Sequence, residues 1–363
     1  MAEVAGARTA AAPGLTAIRR RVPSLRRIAG SVRRNEHHFW SWGGRLAAVV
    51  PLAALIAAVV VLADKAWPAV QVNGAHFLVG SAWKLGNTYG AIQKTDGVSH
   101  PLGSDYGAWP LIAGTLQSSA IALVIALPIS LGAAFALTER IPRWLAEILR
   151  FGIEILAGVP SVVIGLWGAL TLGPLLARDV YPPIANNMPD VPVLSYFRNP
   201  VGHGEGLLTS GVILALMIVP IIASTARNLL AQVPALPKEG GEALGLTDWE
   251  VTRKITLPWV RSGLIGATVL GLGRALGETI AIAMVSGALL NTISPNIYGT
   301  MGTIAAAIVT QLDSAFTDGT GFAVATLAEL ALVLAVVSLI VNMFARYIVH
   351  RTGNLSAPVG AGF

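Results

Sequence analysis

The sequence predicts an all-α integral membrane protein with six transmembrane helices. Three observations carry that expectation. Only 12% of the 363 residues are charged, where soluble domains average about 25%. Apolar residues make up 54% and mean hydropathy is +0.67. Six stretches are apolar over the roughly 20 residues a helix needs to cross a hydrocarbon core of about 30 Å, and basic residues are dense in alternate connections. This composition excludes an ordinary soluble enzyme, whose surface needs more charge, and a disordered chain, which holds less apolar content. With no Cys in the chain, disulfides, thiolate metal sites and cysteine nucleophiles are excluded as well.

The elements follow in order. Residues 1–45 hold nine Arg. Such an arm is too long for a signal-peptide n-region and reads as a poorly ordered cytoplasmic segment against anionic inner-leaflet lipid. His37 and His38 lie within it and give no metal-site pattern. The six spans are expected at 46–63, 111–137, 151–177, 207–230, 259–285 and 321–345. Pro128 and Pro220 fall inside two of them, which membrane helices tolerate when neighbours satisfy the freed carbonyls. Residues 64–110 and 178–206 read as external connections, the first made irregular by Gly86, Gly90, Gly97, Pro101 and Gly103. Residues 351–363 form a tail.

Charge orients the chain. Of the 25 Lys and Arg, 19 fall in one alternating set of segments, five in the other, and Arg274 lies inside a span. The richer side is cytoplasmic. Both termini are then inside, which requires an even number of spans. The net charge of +6 therefore concerns orientation and lipid contact and gives no reason to invoke nucleic acid.

The connection at 231–258 is more than a turn. Two amphipathic stretches are broken by Gly245. Leu246, Val251 and Ile255 can share one face, with Glu250, Arg253 and Lys254 turned away. The pattern suits docking into a groove on a soluble partner and equally an interfacial helix lying on lipid.

Glu239, Gly245, Ile255, Leu257 and Pro258, in that register, resemble the EAA loop of ABC-importer permeases. Gly240 and Gly241 depart from the usual Ala-Ala, which lowers local helix propensity and leaves the spacing intact. Gly271–Thr279, Leu156–Gly168 and Val341–Arg346 resemble the phosphate-specific permeases of the C type, over roughly residues 105–350 and without the basic arm. Thr279–Met284 is closer to the C type than to its A-type sister. The resemblance implies a MetI-like fold in the inner membrane, with a permease core at 111–350 and a coupling loop at 231–258. It implies a heterodimer with an A-type permease, an ATP-binding subunit dimer and an external phosphate-binding protein. ATP then belongs to a partner. This chain carries no P-loop, no His-Glu-x-x-His and no cofactor of its own, and is expected to be a transport subunit rather than an enzyme.

Charge at bilayer depth is costly and marks candidate sites. Arg274 and Glu278 are four residues apart, so a continuous helix would put them on one face. They read either as a structural ion pair or as a translocation site for an anion. Arginine suits phosphate because its planar fork donates two parallel hydrogen bonds. Glu278 would hold Arg274 until phosphate arrives. Glu329 is a further buried charge, expected to pair with Arg274 or face a cavity. Pro160-Ser161 would break a helix and aim backbone N–H groups at an anion, or simply kink it. Gly273 and Gly277 form a small-xxx-small face expected to pack tightly. The leading reading is the permease half of an ATP-driven phosphate importer. A secondary transporter using Arg274, Glu278 and Glu329 as a proton relay is the alternative, as is an ABC permease for sulfate or molybdate.

Overall fold

The computed structural model describes residues 24–353, apart from 190, 193, 200 and 201. The expectations for the arm before residue 24 and the tail after 353 lie outside the described residues, as do the arginine side chains up to Arg45.

Ten helices of six or more residues organise the described chain. They are α1 (Ser24–Asn73), α2 (Trp109–Arg140), α3 (Arg143–Gly158), α4 (Ser161–Asn187) and α5 (Leu207–Leu230), then α6 (Ala235–Ala243), α7 (Asp248–Gly277), α8 (Ile280–Val285), α9 (Ile304–Ala315) and α10 (Phe322–Gly353). Six of them (α1, α2, α4, α5, α7 and α10) are long and apolar enough to cross a membrane. The predicted class therefore holds, with several corrected boundaries.

The chain divides after Val61 into two units. The first contains the early part of α1, whose side chains from Val49 to Val61 are exposed, an apolar surface suited to lipid. The second unit holds everything else. In it α1 continues to Asn73, ten residues beyond the expected end. Asp64 and Lys65 stay exposed while Ala66 and Ala69 pack inward, so the charges do not stop the helix. Gly74 does, at φ +52 with its N–H donating to the Val70 carbonyl at 3.0 Å.

The segment expected to be irregular is instead two nested antiparallel pairs. β1 (Trp83–Lys84) pairs with β4 (Asp105–Tyr106), and β2 (Asn87–Thr95) with β3 (Val98–Leu102). Asp96 and Gly97, both at positive φ, make the two-residue turn that matches strand twist. Buried His100 fastens the hairpin to Thr95 Oγ1 and Ser104 Oγ, each at 2.9 Å.

The core is built around α5, whose Ile213, Leu214, Ile218 and Ile222 are almost wholly buried. α2, α3 and α7 pack on it. Gly271 lets α7 close on α5: a Cβ there would stand 2.7 Å from Ile222 Cδ1. Ser130 Oγ in α2 donates to the Val219 carbonyl at 3.2 Å, tying together the two helices that carry Pro128 and Pro220.

Two expected spans are each split. The third does not run from 151; Val159 and Pro160 are extended, and the membrane-length helix starts at Ser161. A residue before proline avoids helical ψ. The fifth does not run to 285, because Glu278 is extended at ψ 125 and α8 starts afresh. The connection at 178–206 is helical up to Asn187, and 286–320 contains α9, with Thr303 Oγ1 accepting from the Ala306 N–H at its start.

Candidate functional site

The turn between α5 and α7 is built as its sequence predicts. α6 ends in Gly245 at φ +82. The Gly245 N–H donates to the Glu242 carbonyl at 2.9 Å and the Leu246 N–H to the Gly241 carbonyl at 3.1 Å, the paired bonds of a Schellman motif. α7 begins with a capping box in which Thr247 Oγ1 accepts from the Glu250 N–H and Glu250 accepts from the Thr247 N–H. Leu246, Val251 and Ile255 gather under Gly241, the expected apolar face. The departure from Ala-Ala has a physical reason at one of its two positions. A Cβ on Gly241 would stand 2.6 Å from Ile255 Cδ1, while one on Gly240 meets nothing within 4 Å.

The five motif residues do not form one cluster. Glu239 is exposed on α6. Leu257 and Pro258 lie in α7 and line a separate groove of about 510 Å³ with Leu127 and Leu131 of α2. The expected loop is also shorter than 231–258, because its second amphipathic stretch is the first two turns of α7. Beside Gly245 an apolar surface stands open: Leu236, Leu244 and Trp249 are 78%, 85% and 62% exposed.

Arg274 sits in the last turn of α7 and is exposed. It lines a groove of about 1070 Å³ with Gly273, Ile221 of α5, and Asn342, Met343 and Arg346 of α10. Among the described residues no carboxylate lines this groove. Sequence reasoning missed Asn342 and Arg346 as site residues. The available signal was their four-residue spacing, which puts both on one helix face.

The expected Arg274–Glu278 pair is absent: among the described residues neither side chain makes an ion pair. The helix ends at Gly277, so i,i+4 geometry does not extend to Glu278. Among the described residues of this chain the tight small-residue packing is also absent. Gly277 has nothing within 4 Å of a built Cβ, and Gly273 only the Asn342 amide at 3.8 and 4.0 Å.

Ser161 and Glu278 mark two helix breaks at one level. A Cβ on Gly165 would reach Ala281 Cα at 2.7 Å, and one on Gly168 would reach Val285 at 3.0 Å, so α4 and α8 run in parallel. Counting back one turn sets Ser161 beside the break at Glu278. Neither lines the Arg274 groove. Glu329 is elsewhere. It is buried and accepts from Asn73 Nδ2 at 2.9 Å, thirteen residues before Asn342, or about 20 Å along α10. A relay of Arg274, Glu278 and Glu329 is therefore not assembled.

Residues 126–354 match the family described as binding-protein-dependent transport system inner membrane component. The proteins named phosphate transport system permease protein PstC 1 of Mycobacterium bovis and Mycobacterium tuberculosis are 57% identical over 321 residues, covering 88% of this chain and 95% of theirs. The Haemophilus influenzae protein named phosphate transport system permease protein PstC is 36% identical over 298 residues, covering 82% and 88%. Among solved structures, an inward-facing MetNI methionine ABC transporter aligns at TM-score 0.46 and 20% identity, over 68% of this chain and 94% of that one. The six long apolar helices accord with the family match and the PstC relatives. The chain belongs to the binding-protein-dependent transport system inner membrane components, multi-pass permease subunits of ABC transporters, on their PstC branch.

Proposed function

We propose that this chain is the C-type half of the pore of an ATP-driven importer that moves inorganic phosphate into the cytoplasm. Its partners are an A-type permease in a heterodimer, a dimer of ATP-hydrolysing subunits and an external phosphate-binding protein. Both termini are cytoplasmic, as the distribution of basic residues argues. α6 and the start of α7 then face the ATPase, and the exposed Leu236, Leu244 and Trp249 are the apolar anchors that seat there. ATP binding draws the ATPase pair together and swings the two permease halves from inward-open to outward-open while the binding protein unloads.

The observation that carries the substrate assignment is Arg274, an exposed guanidinium without an ion-pair partner among the described residues, in a groove with no lining carboxylate. The names of the PstC relatives support phosphate as the anion. In vesicles holding the complete transporter, Arg274→Ala is expected to lower labelled-phosphate uptake by at least about tenfold, the loss of a charge-assisted hydrogen bond. Wild-type uptake at equal expression overturns the site. Sulfate and molybdate are expected to leave uptake of labelled phosphate unchanged; competition by either reassigns the oxyanion. Glu239 and Gly245 variants are expected to lose ATPase association, and retained association with normal transport removes the coupling role.

A further inference from the structure

We infer that Asn342 and Arg346 of α10 form a second oxyanion station beside Arg274, so that the groove holds a phosphate group in two successive positions. This inference rests on the reading of Arg274 given above. Asn342 and Arg346 are four residues apart and both line the groove that Arg274 enters from α7. The Asn342 amide stands 3.8–4.0 Å from where a Cβ on Gly273 would be, at ordinary contact distance from the residue that precedes Arg274. Arg346 follows about 6 Å further along α10.

The groups facing this space come from three helices. α5 offers Ile221, α7 offers glycine and aliphatic residues besides Arg274, and α10 offers Asn342 and Arg346 with apolar neighbours. Two cations therefore line one groove together with a neutral amide, and among the described residues no lining carboxylate neutralises either. Neither arginine has an ion-pair partner among the described residues. A phosphate group supplies what the arrangement lacks: negative charge, with several acceptor oxygens for a fork and an amide N–H. Asn342 can donate to the anion as it passes from one guanidinium to the other. The same chemistry fits free phosphate in transit and the headgroup of an anionic lipid.

The test uses the complete transporter in vesicles of phosphatidylcholine alone and with added phosphatidylglycerol. Labelled-phosphate uptake is measured for Arg346→Ala, Arg346→Lys, Asn342→Leu and Asn342→Asp, with Arg274→Ala in parallel. Arg346→Ala is expected to lose about tenfold, and Arg346→Lys to recover part of it by restoring charge without the fork. Asn342→Asp is expected to transport less than Asn342→Leu although it is the closer mimic in shape, because it places a carboxylate in the anion's path. A purely structural role predicts the reverse order. Loss in both lipid mixtures identifies free phosphate as the ligand; loss confined to vesicles with phosphatidylglycerol identifies the headgroup. Wild-type uptake by Arg346→Ala and Asn342→Asp in both mixtures, with Arg274→Ala inactive, overturns the second station alone. Wild-type uptake by Arg274→Ala overturns the reading beneath it.

Discussion

A carboxylate inside an apolar helix needs a donor, and Glu329 takes Asn73 Nδ2 at 2.9 Å. Glu329→Gln keeps an acceptor oxygen for that bond and removes the titrating proton. Phosphate uptake by Glu329→Gln is expected to stay near wild type, whereas a relay through this residue requires it to fail. Asn73→Leu leaves the carboxyl buried without its donor and is expected to destabilise the protein by about 1–3 kcal/mol, read as a lower unfolding temperature of the assembled transporter. Arg274 was legible in the sequence because a charge in an apolar run is an anomaly that needs a reason. Asn342 was not, because a neutral polar residue in a span is unremarkable until something is seen facing it. Asn73 was hidden differently: Asp64 and Lys65 looked like the end of a helix, and the partner of Glu329 was assigned to a loop.

Several helix irregularities trace to proline. Four π-helical turns, Ala136–Arg140, Gly168–Leu172, Leu176–Val180 and Thr252–Thr256, each end two residues before a proline: Pro142, Pro174, Pro182 and Pro258. Proline donates no N–H and its ring presses on the carbonyl four residues back. A widened turn moves that carbonyl aside. Three of these prolines therefore sit inside helices that continue past them. That is why α7 starts at Asp248 although Pro258 marked the end of a loop in the sequence, and why apolar runs located the spans better than their boundaries. Composition was equally blind to the β2–β3 hairpin, whose Asp96-Gly97 turn is a local signal in a segment otherwise rich in glycine. On α6, Gly240→Ala is expected to add about 0.5–1 kcal/mol of stability through helix propensity. Gly241→Ala is expected to gain less, because Ile255 must move from 2.6 Å. Thermal unfolding of the two variants side by side checks the contrast, and equal gains would show that Ile255 gives way freely.

At the scale of the whole molecule, the proposed ATPase contact and the proposed anion site are two ends of one element. Asp248 begins α7 and Arg274 stands in its last turn, 26 residues or about 40 Å away at 1.5 Å per residue. A push on the first turns of this continuous helix is therefore expected to reach the groove through the widened turn at Thr252–Thr256. A second route runs through charge. Lys238 Nζ donates to Glu139 Oε1 at 2.5 Å, and Arg140 donates to Asp248 Oδ2 at 3.0 Å. These two pairs fasten the end of α2 to α6 and to the start of α7, so α2 is carried along when the turn moves. The Glu139–Lys238 pair is the better shielded, each side chain 22% exposed, and is expected to be the stronger tie of the two. Reversing either charge alone, Glu139→Lys or Lys238→Glu, sets like charges together and is expected to lower phosphate taken up per ATP hydrolysed by about two- to fivefold. Combining the two restores an opposite pair in swapped order and is expected to recover most of that loss. Both quantities are read on the same vesicles, so a change in coupling separates from a change in ATPase rate. A double variant no better than the worse single one would mean that α7 alone transmits the movement.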